Sequence, residues 1–277
     1  MRAKTILITG CSSGIGYCVA SGLQRRGYRV FATARRPESV EKLTAEGFES
    51  LQLDLDDTQS IKQAVDEILR RTGGELYAVF NNGAFGLPGA VEDLSRDAIR
   101  AQFETNFFGW LELTNLLLPV MRKQGYGRII NNSSVLGFVA MPFRGAYISS
   151  KFAIEGLSDT QRLELKGTSI HVSLVEPGPI LTRFRTNALL AMQKYIDMEN
   201  SEHRELYQAV LTRLNTEGPA APFTLPPEAV LKKVIRALES RNPKARYYVT
   251  FPTYLFGYLK RVLPTKILDK LLRLAGN

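Results

Sequence analysis

Residues 4–16 read KTILITGCSSGIG, and this stretch decides the fold. Lys4 to Thr9 reads as a buried strand. Gly10 to Gly16 reads as a glycine-rich turn, and the chain beyond it as a helix to about Arg26. Glycines at such a turn let backbone N–H groups approach a pyrophosphate at a helix N-terminus, where the partial positive charge favours an anion. The spacing is G-x-x-x-G-x-G rather than the G-x-G-x-x-G of other dinucleotide folds. Gly10, Ser12, Ser13, Gly14, Ile15 and Gly16 are therefore candidate cofactor-binding residues.

Working outward, further strands are expected over Arg29 to Ala34, Ser50 to Leu55, Leu76 to Phe80, Arg128 to Ser133, Ile170 to Val175 and Arg246 to Thr250. Helical segments separate them. One opens at Pro37, and Thr58 to Arg71 shows the spacing Ile61, Ala64, Val65, Ile68. Ser95 to Lys123 is expected to be helical with a break near Asn106. Ala146 to Lys166 and Pro227 to Glu239 are expected to be helices. This alternation predicts an α/β fold. It would be a single Rossmann-type doubly wound domain over residues 1–277, with a mostly parallel sheet of about seven strands and helices on both faces. Residues 181–227, polar and punctuated by Gly218-Pro219, Pro222 and Pro226-Pro227, break the alternation and read as a substrate lid. Residues 254–277 read as an amphipathic extension.

Composition removes several function classes. The 277 residues are 44% hydrophobic and 23% charged, as in an ordinary globule. No apolar run reaches the roughly 18 residues of a membrane span, and the N-terminal apolar run is too short for a signal core. A cytoplasmic location is expected. Cys11 and Cys18 form no C-x-x-C pair, and His171 and His203 have no ligand spacing, so no metal is expected. The net charge of +9 is spread along the chain and accompanies no nucleic-acid motif, so no nucleic-acid partner is expected.

The end of strand two reads Thr33-Ala34-Arg35-Arg36, without the acid that holds a ribose diol in NAD enzymes. Arg35, helped by Arg36 or Ser13, can grip a 2′-phosphate with paired donors, which points to NADP(H). Tyr147 and Lys151 lie four apart on a predicted helix, hence on one face. Chance supplies roughly half such a pair in a chain with this many tyrosines and lysines. Their place after strand five, with Ser133-Ser134 closing that strand, puts them at the carboxyl ends of the strands, where ligands bind.

In order along the chain, Thr9 to Gly16, Asn81 to Ala84, Asn106, Ser134, Tyr147/Lys151 and Pro177-Gly178 resemble the short-chain dehydrogenase/reductase family over residues 3 to 185. The tract Gly145 to Gly156 is similar to the branch of estradiol 17β-dehydrogenases and retinol dehydrogenases. The extended C-terminal region resembles bacterial NADP-dependent aldehyde reductases of that branch. Where the family has Asn-Asn-Ala-Gly, this chain has Asn82-Gly83-Ala84, which changes backbone freedom beside the ribose.

The resemblance implies roles. Tyr147 would be the general acid in reduction and the base in oxidation, with Lys151 holding the ribose and favouring tyrosinate. Ser134 would steady the substrate oxygen, and Asn106 would hold a water linking Lys151 to solvent. Asp54, with Leu55, would contact the adenine. Asn82 and Gly83 would lie along the ribose, and Pro177, Gly178, Ile180 and Thr182 beside the nicotinamide. Phe85, Met141, Phe143 and Phe184 would form an apolar wall for a lipophilic aldehyde, ketone or alcohol. A homodimer or homotetramer would pack through the helices holding Asn106 and Tyr147. A non-catalytic NADP sensor on the same fold is the alternative, against which the intact Asn, Ser, Tyr, Lys set argues. The basic, apolar C-terminus adds an expectation of weak contact with anionic membranes.

Overall fold

The protein, described by a computed structural model over residues 3–276, alternates strands and helices along its length. The strands are β1 (Thr5–Ile8), β2 (Arg29–Ala34), β3 (Glu49–Gln52), β4 (Ala78–Asn81), β5 (Gly127–Asn132), β6 (Ile170–Glu176) and β7 (Arg246–Tyr248). They form one sheet in the order β3-β2-β1-β4-β5-β6-β7, and every pairing is parallel. The order reverses between β1 and β4, which opens a crevice at their carboxyl ends.

Helices cover both faces, and the pleat of the strands explains why. Along β1, Ile6 and Ile8 join one core cluster while Leu7 joins the other. Along β2, Val30, Ala32 and Ala34 point one way and Phe31 the other. Side chains alternate across a strand, so strands apolar at every position need cover on both sides. α1 (Gly14–Gln24) and α9 (Glu228–Glu239) supply it on the first face, through Val19, Leu23, Val230 and Val234. α3 (Thr58–Thr72), α5 (Gly109–Gln124) and α6 (Gly145–Glu164) supply it on the second, through Ile61, Val65, Leu113, Leu117 and Ile154. A short helix, α2 (Pro37–Ala45), follows β2 with Pro37 at its first turn.

The expected break near Asn106 is a π-helical segment, Glu104–Phe108, between α4 (Arg96–Phe103) and α5. Such a bulge shifts the helix by one residue and is common at functional sites.

The insertion at 181–227 is largely helical. Its polar, turn-rich ends enclose two helices, α7 (Phe184–Tyr195) and α8 (Arg204–Asn215). They pack on Leu87, Ala90, Ala98 and Ala146 through Ala188, Met192, Tyr207, Val210 and Leu214. Tyr207 anchors the insert: its hydroxyl donates to Asp93 at 2.5 Å and accepts from the Ala90 N–H at 2.9 Å.

The extension folds as α10 (Phe251–Val262) and α11 (Thr265–Gly276). Phe256, Leu268 and Leu272 are buried against Val135 and Val139, just past β5. Part of its apolar stripe is thus packed on the domain, while Ile267, Leu271 and Leu274 remain exposed.

Candidate active site

β1 ends at Ile8, and the chain turns sharply through Gly10 (φ +70°) and Gly14 (φ +60°) into α1. At Gly16 the need for glycine is steric, because a Cβ there would lie 2.2 Å from the Gly10 carbonyl oxygen. The turn is held from below by Thr9, whose hydroxyl accepts from the N–H groups of Asn82 and Gly83, each at 2.8 Å. Ser13 precedes α1 without capping it by its side chain, so the first helical turn keeps its N–H groups for a ligand. Ser12, Ser13, Gly14 and Ile15 line a cavity of about 710 Å³.

The Asn82-Gly83-Ala84 departure lies against the glycine turn. A Cβ on Gly10 would come 2.7 Å from the Gly83 Cα, so glycine meets glycine where two turns cross. Gly83 itself lies outside the left-handed region, so the exchange needs no special backbone. Leu55, buried, packs against Gly83, where a Cβ would stand 3.0 Å from its Cδ1.

At the other end of the cavity lie Tyr147 and Lys151, both on α6. Lys151 is fully buried, with Nζ donating to the Asn132 carbonyl at 2.8 Å and lying 4.3 Å from the centre of the Trp110 ring. Burial pushes the Lys151 ammonium down to about 7, opposed by the Glu155 carboxylate. Its Nζ lies 5.6 Å from the centroid of the Tyr147 ring. Burial pushes the Tyr147 phenol up to about 12, opposed by its hydrogen bond with the Ser134 hydroxyl. The phenol therefore keeps its proton across the neutral range, the state needed to protonate a carbonyl oxygen.

Asn106, buried in the π segment, spends its carboxamide on the protein. It accepts from the Phe85 N–H at 3.1 Å and donates to the Phe85 carbonyl at 2.9 Å and to Ser150 at 3.1 Å. Its side chain locks the β4 loop to α6.

The remaining candidates divide. Asn82, Gly83, Ser134, Pro177, Gly178, Ile180, Thr182, Met141 and Phe184 line the cavity with Tyr147 and Lys151. Arg35 and Arg36 are exposed just past β2, and Asp54 is half-buried past β3, all outside the cavity lining. The strands deliver them beside the glycine turn, since the Cys11 N–H donates to the Thr33 carbonyl at 2.8 Å. Two wall candidates are corrected. Phe143 (φ +59°) turns away to stack edge-on against Tyr207 and His203. Phe85 packs into the cluster under the insert. Phe143 is claimed by Tyr207 and His203, which lie some sixty residues on and leave no local signal.

Other participants escaped sequence reasoning. Asn132, which holds Lys151 by its main chain, also donates from its side chain to Asn82 at 2.9 Å, tying β5 to the β4 turn. Behind the site, Arg246 stands 3.0 Å from Glu155, 2.7 Å from Asp159 and 3.2 Å from Glu176. Glu155 sits one turn past Lys151, and Glu176 immediately precedes Pro177. Burial, then the charge of Glu155, pushes the Glu176 carboxyl up to about 9. No sequence spacing brings β6, β7 and α6 together at this point.

The residues fit a dinucleotide: a glycine cradle that any Cβ would fill, an uncapped helix N-terminus, and a continuous cavity from there to Tyr147. Bound there, a nicotinamide would supply or accept the hydride. The protein's share would be orientation and proton transfer, for which the Tyr147 hydroxyl is placed.

A fold and site of this kind define an oxidoreductase acting on CH–OH or carbonyl groups. The short chain dehydrogenase profile matches residues 4–192, and the chain belongs to that family. It is 44% identical over 270 residues to the uncharacterized oxidoreductase YbbO of Escherichia coli strain K12, covering 98% of this chain and 94% of that protein. It is 32% identical to a 3-ketodihydrosphingosine reductase of Bacteroides thetaiotaomicron, covering 99% of this chain and 98% of that one. It is 34% identical to retinol dehydrogenase 8 of Homo sapiens, covering 88% of this chain and 80% of that one. Among solved structures, a short-chain dehydrogenase from Streptomyces avermitilis superposes with a TM-score of 0.78 at 28% identity, covering 94% of each chain. Actinorhodin polyketide ketoreductase, solved with NADPH, gives 0.74 at 26% identity, covering 89% of this chain and 95% of that one.

Proposed function

We propose that the protein transfers a hydride between NADP(H) and a lipophilic aldehyde or ketone, or the matching alcohol. The observation that carries this is the wall around Tyr147. Leu87, Val135, Leu136, Met141, Phe184 and Phe256 face the cavity that also holds Ser134 and Lys151. Such a wall favours an apolar chain over a small polar carbonyl. Relatives named for ketodihydrosphingosine and retinol carry the same suggestion. NADP(H) is supported by Arg35 and Arg36 at the end of β2, where no acid stands.

Ser134 would hold the carbonyl oxygen toward the Tyr147 hydroxyl, which gives its proton as the hydride arrives. Lys151, held by Asn132, stabilises the phenolate left behind. α7 and α8 form the cover of this site. The test is a spectrophotometric screen of short polar carbonyls against medium- and long-chain aldehydes, retinal and steroids, with NADPH and NADH side by side. If short polar carbonyls give the higher kcat/KM, the reading fails.

Two further features belong to this proposal. Phe108, beside the π segment, and Phe152 and Leu163 on α6 are exposed apolar side chains. They support a dimer or tetramer packed through these helices, which a light-scattering mass decides. Exposed Ile267 and Leu271 beside Lys266, Lys270 and Arg273 support weak contact with anionic membranes. No described helix is long and apolar enough to cross one.

A further inference from the structure

The cavity around Tyr147 has a one-sided charge. Among the described residues that line it are Arg144, Lys151, Arg183, Arg185 and Arg213, and neither aspartate nor glutamate. Lys151 is accounted for by the reaction. Arg144, Arg185 and Arg213 belong to the substrate side, away from the glycine turn. Arg144 precedes α6 and pairs its backbone with Gly89. Arg213 lies on α8 beside Leu214, which packs in the same cluster as Leu87 and Ala188. Arg185, on α7, donates to the main-chain oxygens of Arg213 at 3.3 Å and of Gly218.

These cations are drawn out of water next to one another. Burial, then the neighbouring Arg213, pushes Arg144 down to about 10, and burial, then Arg185, lowers Arg213. No hydrogen bond, ion pair or ring contact among the described residues engages the Arg213 guanidinium. Holding the half-buried Arg213 beside Arg185 costs stability unless an anion joins them, because desolvation and repulsion act in the same direction. A guanidinium presents forked donors that match the two oxygens of an oxyacid. Leu87, Pro88, Ala188 and Leu214 line the same cavity, so apolar surface accompanies the charge.

We propose that Arg213, with Arg185, forms a receptor for an oxyanion, carboxylate or phosphate, carried by the substrate at the end opposite its carbonyl. The substrate class is then an amphiphilic oxo compound rather than a neutral aldehyde. This rests on reading the cavity as the site of carbonyl reduction. The cofactor's own phosphates do not account for the cluster. They have the glycine turn, the uncapped α1 and Arg35 at the opposite end, and Arg213 belongs to the insert.

The experiment compares nonanal, 9-oxononanoate and its methyl ester as substrates of the NADPH-loaded full chain, in the wild type, Arg213→Gln and Arg213→Lys. Charged hydrogen bonds are worth enough to give the acid about tenfold higher kcat/KM than its ester. Arg213→Gln should bring that ratio to within about threefold of one, chiefly through KM, with part of it retained in Arg213→Lys. A second arm needs no turnover. Octanoate or octyl phosphate should raise the melting temperature of the NADP⁺-loaded wild type more than octanol does at equal concentration, and the larger shift names the anion. The receptor is overturned if neither anion stabilises more than octanol, or if Arg213→Gln keeps the wild-type preference. If none of the three carbonyls is reduced, the reductase reading fails, and the melting arm alone decides the receptor.

Discussion

The rings of Tyr147 and Phe184 meet edge to face, with centroids 5.4 Å apart and planes at 66°. This contact joins α6 to the first turn of the insert. Gly86 leaves the space for it, since a Cβ there would stand 2.8 Å from the Phe184 ring. Aromatic pairs of this geometry are worth about 0.5–1.5 kcal/mol beyond the area they bury. Phe184→Ala should therefore raise KM for long-chain aldehydes by roughly tenfold, from that contact plus lost burial. The effect on short aldehydes should be smaller. Equal effects on both chain lengths would show that Phe184 does not touch the substrate chain.

Tyr147→Phe should lower kcat by about 10²–10⁴ while leaving cofactor binding close to the wild type. The ring that packs on Phe184 is kept, and only the hydroxyl is removed. Steady-state rates together with a fluorescence titration of NADPH check this. A variant within threefold of wild-type kcat removes Tyr147 as the acid.

Arg35→Ala should weaken NADPH by roughly 10- to 100-fold and NADH by much less, because only the former offers a 2′-phosphate to a guanidinium. Arg35 is exposed, and its neighbour Asp56 does not belong to the cavity lining, so the fold should tolerate the change. Dissociation constants of both cofactors for both proteins decide it. A wild type that binds the two equally well ends the argument.

Glu176 is fully buried, with its carboxyl pushed up to about 9. An unfolded glutamate titrates near 4.3. The folded state thus binds a proton more tightly than the unfolded one. The resulting stabilisation is complete below about 4.3 and is lost as pH rises through about 9. The melting temperature should fall between pH 6 and pH 9.5, and Glu176→Gln, neutral throughout, should fall by at least about 3 °C less. Melting curves across that range test it, and an unchanged alkaline fall in the variant would move the cause elsewhere.

Co-sedimentation with anionic vesicles at low salt should carry a fraction of the protein into the pellet, and added salt should release it. Ile267→Ser with Leu271→Ser should abolish the pelleting without touching the buried Leu268 and Leu272. Wild type that stays in the supernatant would leave α11 with a packing role alone.

Much of this molecule could be read from local pattern. KTILITGCSSGIG specifies a strand, a turn and a helix because glycine spacing and apolar runs act over a few residues, and the same holds for Tyr147 and Lys151 one turn apart on α6. The doubly wound sheet followed from the alternation of short apolar strands with helices. What lay beyond local reach depended on distant chain segments. Tyr207 drew Phe143 away from the cavity by offering its ring a partner. The insert proved helical because Met192 and Leu214 found Leu87 and Ala146 to pack on. Arg246 reached Glu155 and Glu176 only once β6, β7 and α6 were assembled, and Arg144 came to face Arg213 only once α8 had docked. Sequence pattern records which face of an element seeks burial. Tertiary packing decides what that face meets, and with it the charge and shape of the cavity around Tyr147.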